Sequence, residues 1–155
     1  MRTLNVQIIS KVHDKVAAPL KDLFLLAFRV HWGYAFTQTG LGKFNNFERT
    51  RGFFESLGIP APSLNVFMAS STELLGGALL LIGLGSNIVP IPVMFTMIIA
   101  YITAHPDGLK SLLDYPNIDP FIDAEPFMFL LTAMLVFLFG PGRISVDYFM
   151  KKKRR

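Results

Sequence analysis

The stretch S-S-T-E-L-L-G-G-A-L-L-L-I-G-L, Ser70 to Leu84, decides the reading of this chain. It is a long apolar helix pattern with one carboxylate, Glu73, near its middle. No other Asp, Glu, Lys or Arg occurs between Glu55 and Asp107. So long an apolar stretch has nowhere to hide its surface in a small soluble domain, whereas it fits a bilayer. An acid inside a bilayer is costly and marks a functional position by default. The rest of the chain is therefore read by asking what accompanies Glu73.

The bulk composition agrees with lipid as the surroundings. Hydrophobic residues make up 52% of the 155 and charged residues 17%, against roughly 25% charged in an average soluble domain. Cysteine is absent, which removes disulfides, thiol redox catalysis, Cys-ligated zinc and iron–sulfur clusters from this chain. The expected fold class is all-α: an integral membrane four-helix bundle with a short amphipathic N-terminal helix and an interfacial loop helix. Residues 1–150 form the membrane domain and 151–155 a basic cytoplasmic tail.

Along the chain, residues 1–19 are polar and basic. Ile8, Ile9, Val12 and Val16 recur at roughly helical spacing, as on a helix lying along a membrane surface. Pro19 then starts a first span, about Leu20 to Gly40, interrupted by Arg29, His31 and Gln38. Arg29 within its apolar core argues against a signal peptide. Residues 41–63 read as an interfacial loop with a short surface helix and a turn at Gly58, Pro60 and Pro62. The second span is about Leu64 to Leu84, followed by a turn at Gly85, Ser86 and Asn87. The third is about Ile88 to Ala104, with Pro90 and Pro92 in its first turn, where a missing N–H matters little. An acidic, turn-rich segment, 107–125, leads to the fourth, about Pro126 to Phe139. With four spans the termini share one side with Arg2, Lys11, Lys15, Lys21, Arg143 and the five tail residues, whereas Lys43, Arg49, Arg51 and Lys110 lie on the other. The excess of Lys and Arg places the termini in the cytoplasm. The tail then anchors the topology against anionic lipid rather than binding nucleic acid.

Depth follows from the rise of ~1.5 Å per residue. Arg29 lies nine residues into the first span and Glu73 nine into the second, which enters from the other side. In a core ~30 Å thick their depths match, and a midplane ion pair between Arg29 and Glu73 is expected. Gly33, Phe36, Gly40 and Lys43 follow Arg29 along nearly one helix face, and Ala69, Glu73 and Gly77 repeat at i, i+4, i+8 with Gly76 alongside. Small residues let helices approach, so these two faces are expected to pack together. Lys43, His105 and Glu125 sit at the outer ends of spans. Together they imply a pocket open to the outer face, rimmed by those three and floored by Arg29 and Glu73. Trp32, Phe36, Met94, Met97 and Phe129 are its expected apolar lining. The plainer readings stay open: an interhelical salt bridge for the pair, a capping role for His105, and a helix N-terminal charge for Glu125. His31 lies nearly opposite Arg29 on the helix and reads as a lipid-interface or inter-subunit residue. A bis-His haem is not expected, because His13, His31 and His105 lie at different depths.

The motif R-x3-G-x2-F-x3-G-x2-K (Arg29, Gly33, Phe36, Gly40, Lys43) resembles the DoxX family of small membrane proteins. So do E-L-L-G-G-A-L-L-L-I-G-L (Glu73 to Leu84), Ala104-His105 and G-P-G-R-I-S-V-D (Gly140 to Asp147). The resemblance covers about residues 20–150. It implies a four-helix integral protein of the bacterial or archaeal cytoplasmic (inner) membrane. Some members of the family are the membrane subunit of a thiosulfate:quinone oxidoreductase; others are linked to quinone or redox-stress resistance, and distant relatives act as assembly or cargo factors. It suggests a quinone-binding redox subunit in which Lys43 or Arg29 stabilises a developing oxyanion, Phe36 lines the site, and Glu73, His105 and Glu125 carry protons. The expected cofactor is a quinone, with no haem, iron–sulfur centre or metal. Expected partners are lipid and a redox protein that supplies electrons, without nucleic acid; the oligomeric state is left open. A non-enzymatic scaffold for a redox complex is the alternative. A small-solute carrier lacks the broken helices or inverted repeat it needs.

Overall fold

The computed structural model describes residues 2–114 and 116–153, and of residues 2–14 the backbone alone. Eight helices and no strand occur among them. The first helix, α1, runs without a break from Arg2 to Asn45 with Pro19 inside it. The expected separate N-terminal helix and first span are therefore one element. Proline costs a helix one hydrogen bond and a clash with the preceding turn. The good helix formers on both sides, Ala17-Ala18 and Leu20-Lys21, carry the helix through it. The apolar positions Ile8, Ile9 and Val12 lie outside the described side chains.

A short α2, Phe47–Ser56, follows and buries none of its residues. The next helix, α3, spans Pro62–Ile82, and α4 spans Pro90–Ala104. The acidic segment holds two short helices, α5 (Pro106–Ser111) and α6 (Asp119–Ile122), which pack on each other. The last long helix, α7, spans Pro126–Phe139. A terminal helix, α8, covers Val146–Lys153, so the first three residues of the basic tail continue it; Arg154 and Arg155 lie outside the described residues.

Four of these helices close a ring. α1 packs along α3, α3 on α4, α4 on α7, and α7 back on α1. The α1–α3 seam is the most extensive, and it carries the glycines. A Cβ on Gly40 would lie 2.8 Å from the Ser70 carbonyl oxygen and nearer still to the Leu74 nitrogen. Only a residue without a side chain lets the two backbones meet there. Gly77 and Gly33 meet the opposite backbone one and two turns further along the same seam, at Thr37 and Leu81. The two faces expected to pack do so.

Polarity is arranged inside out. The apolar core is small: Phe36, Leu80, Val93, Met97, Phe129, Ala133 and Val136. Beside it lie buried Arg29, Ser70, Glu73, Ser86 and Thr132. The outer faces, in contrast, expose Leu20, Leu23, Phe24, Val30, Phe67, Leu75, Phe95, Ile98, Ile102, Phe137 and Leu138. Of the described helices, α3 is the one long and apolar enough to cross a membrane by itself; α4 and α7 are apolar but shorter.

Candidate functional site

The two polar ends of the ring do different things. At the end where α1 and α4 finish and α3 and α7 begin, the helices part around a cavity of about 830 Å³. Four of the residues singled out from the sequence meet on its wall: Lys43, Glu73, His105 and Glu125. Glu73 sits at mid-length on α3 and is 2% exposed. Its Oε1 accepts a hydrogen bond and ion pair from Lys43 Nζ. Lys43 reaches it because α1 continues to Asn45 instead of ending at Gly40. The lysine stem then runs inward along apolar surface and delivers the ammonium to a buried acid.

His105 sits where α4 turns into α5. Its backbone N–H donates to Ala100 and Tyr101 of the preceding turn. Its side chain makes no capping hydrogen bond, and the ring meets Tyr101 edge-on at 6.3 Å. The Glu125 carboxylate likewise caps no backbone N–H and lies exposed at the N-terminus of α7. Met97 and Phe129 supply apolar wall, with Phe53, Phe54 and Leu57 of α2 and its C-terminal turn across the mouth.

Three expectations need correction. Arg29 does not pair with Glu73. Phe36 does not line the cavity; it is buried in the core with its ring 4.8 Å from Phe129. Trp32 and Met94 also pack against that core instead of the cavity. The cause is register. The α1–α3 seam brings Gly40 to Ser70 and Leu74, and Gly33 to Gly77 and Leu81. Arg29 is thereby carried past Glu73 to the far end of α3. Conversely, Thr39 and Asn46 join the cavity wall, at i−4 and i+3 from Lys43, with Thr72 beside Glu73. Reading residues 41–63 as a loop conceals that shared face.

At the opposite end Arg29, 1% exposed, acts on carbonyls. Its Nε donates to Leu80 O at 2.9 Å and its Nη2 to Leu81 O at 3.2 Å. The same group holds Pro141 O and, at 3.2 Å, Ile144 O. Four carbonyls from the end of α3 and from the G-P-G-R-I-S turn thus converge on one guanidinium, whose planar fork suits several acceptors at once. Gly83 ends α3 at φ +70°, and a Cβ there would lie 2.7 Å from the guanidinium carbon. Asp147 closes the other half of this clasp. Its Oδ1 and Oδ2 accept from the Gly85 and Ser86 N–H groups at 3.0 and 2.8 Å, and its own N–H donates to Gly83 O. Burial pushes the Asp147 carboxyl up, but the Ser86 and Gly85 hydrogen bonds and the nearby Lys151 together hold it below its ordinary value. Asp22 fastens the turn from outside, accepting from the Arg143 N–H at 3.0 Å. Sequence reasoning noticed this motif but gave it no task.

The comparisons with known proteins agree with the motifs. The DoxX family model matches residues 24–106, just over half the chain. A Bacillus subtilis (strain 168) protein named "Putative oxidoreductase CatD" is 33% identical over 136 residues, covering 86% of this chain and 92% of the relative. No solved structure matches. The match to the Bacillus subtilis protein is longer than the stretch that the family model covers. The chain belongs to the DoxX family.

Proposed function

We propose that this chain is a four-helix integral membrane protein of the cytoplasmic membrane and the membrane subunit of a quinone-linked oxidoreductase system. The inside-out distribution of polarity supports the bilayer: charged and hydroxyl side chains inside the ring, large apolar ones outside. The excess of Lys and Arg on the side of both termini supports a cytoplasmic location for them, with the cavity opening to the opposite face. The Bacillus subtilis relative bears the name "Putative oxidoreductase CatD".

One observation carries the quinone: an apolar cavity of about 830 Å³ with His105, Glu125 and a Lys43–Glu73 pair, its carboxylate buried, on its wall. The size and the few convergent polar groups suit a small aromatic ligand. A bound quinone supplies a couple of two electrons and two protons. Lys43 donates a hydrogen bond to the ring oxygen and stabilises negative charge that develops on it. Glu73 sets the position of Lys43 and, as a carboxylate, accepts the proton that leaves a ring hydroxyl and returns it. His105 and Glu125, nearer the opening, exchange protons with the outside. Met97 and Phe129 exclude water from the ring. Electrons come from a partner redox protein.

Chain purified from its native membranes in mild detergent is expected to carry quinone, recovered by solvent extraction and chromatography. Glu73→Gln keeps the fold and loses turnover with the partner. Chain that is free of quinone and does not bind added naphthoquinone would overturn the assignment.

A further inference from the structure

Glu73 has a second oxygen that the ion pair does not use. Oε2 is buried and accepts no hydrogen bond among the described residues, while Glu73 forms part of the cavity wall. A buried carboxylate oxygen without a donor is expensive, and the wall it belongs to faces ligand space. Beside it, Lys43 Nζ spends one of three N–H groups on Oε1, and its side chain, 32% exposed, belongs to the cavity wall. The floor therefore offers an acceptor and a donor within one ion pair. A carbonyl can use only the donor; a hydroxyl uses both.

We infer that the cavity recognises an aromatic hydroxyl, which accepts from Lys43 Nζ and donates to Glu73 Oε2. This rests on the quinone reading and deepens it. The reduced, hydroxyl-bearing member of the couple is the tighter ligand, and preferential binding of it draws the bound couple toward the reduced state. Leaving Oε2 unpaired against a carbonyl or an ether costs about tenfold or more in affinity.

The test uses three probes that share one ring system: 1-naphthol, 1-methoxynaphthalene and 1,4-naphthoquinone. Each is titrated by calorimetry into the full chain in lipid nanodiscs. Naphthol is expected to bind about tenfold or more tightly than the other two. In Glu73→Gln the amide can present an N–H where Oε2 accepted, and the preference should reverse toward the quinone. Equal affinity for naphthol and methoxynaphthalene in the unaltered chain overturns this inference and leaves the quinone cavity standing. Failure of all three to bind overturns both. The comparison in the unaltered chain needs no variant to fold.

Discussion

Arg29→Met separates two accounts of the most deeply buried cation among the described residues. The substitution keeps most of the stem and removes the guanidinium. Leu80 O retains the Gly83 N–H as a partner at 3.1 Å. Leu81 O, Pro141 O and Ile144 O lose the donor that the structure gives them. Each carbonyl stranded in this way costs about 1–3 kcal/mol. Ile144 is exposed and its carbonyl can be rehydrated, so the loss totals about 3 kcal/mol, roughly a hundredfold or more in the folding equilibrium. Reversible unfolding in mixed detergent micelles, followed through the single tryptophan, Trp32, measures it; that ring packs edge-on against Phe129 at 5.7 Å and should report loss of the core. Arg29→Lys should fall between, since an ammonium keeps the charge but not the planar fork. The affinity of the folded variant for naphthoquinone should be unchanged. A variant within about 0.5 kcal/mol of the parent, or one that keeps its stability and loses the ligand, would refute the clasp and return Arg29 to the binding site.

Lys43→Met should strand a buried carboxylate at a cost of about 3–5 kcal/mol; adding Glu73→Gln should recover much of that stability in the same unfolding assay while ligand binding stays lost. Gly40→Leu should force α1 from α3, with a loss of at least about 1–3 kcal/mol from overpacking against backbone, read by the same assay and by reduced yield of folded chain. Asp147 gives a pH signature. Its carboxyl is depressed in the folded state, so its contribution is complete above the ordinary value of 3.8 and is lost as pH falls through the lower folded value. Stability should be flat for this group from pH 7 to about 5 and decline toward strong acid, and Asp147→Asn should flatten that acid limb while lowering stability at neutral pH.

How much of this was legible in the sequence depends on which property is asked for. Hydrophobic run length marks elements well, because a helix buried in apolar surroundings admits no charge along it. The fourth stretch, Pro126 to Phe139, matches α7 residue for residue, and the second matches α3 to within two at either end. Glu73 stands out for the same reason. Its partner was not legible. Arg29 and Lys43 lie on one face of α1, and either suits a buried acid. The choice depends on how far α1 slides along α3, which the closest backbone approaches at Gly40 and Gly77 decide. Single-sequence reasoning found those glycines but had no means of matching them across helices. Counting depth from a helix start placed at Pro19 compounded the error, because α1 starts far earlier and ends later. The clasp was missed because its acceptors are backbone carbonyls, which every residue carries and no residue type announces.

The clasp also sets an order of events during synthesis. Two of the acceptors for Arg29 belong to residues 112 and 115 positions further along the chain. A ribosome adding roughly 5–20 residues per second makes Ile144 about 6 to 23 seconds after Arg29. Until the end of that interval the nascent first helix holds a cation that lacks the last two of its four ligands. Premature termination upstream of Pro141 would leave that cation permanently short of them, and such truncated products are natural targets for quality-control proteolysis.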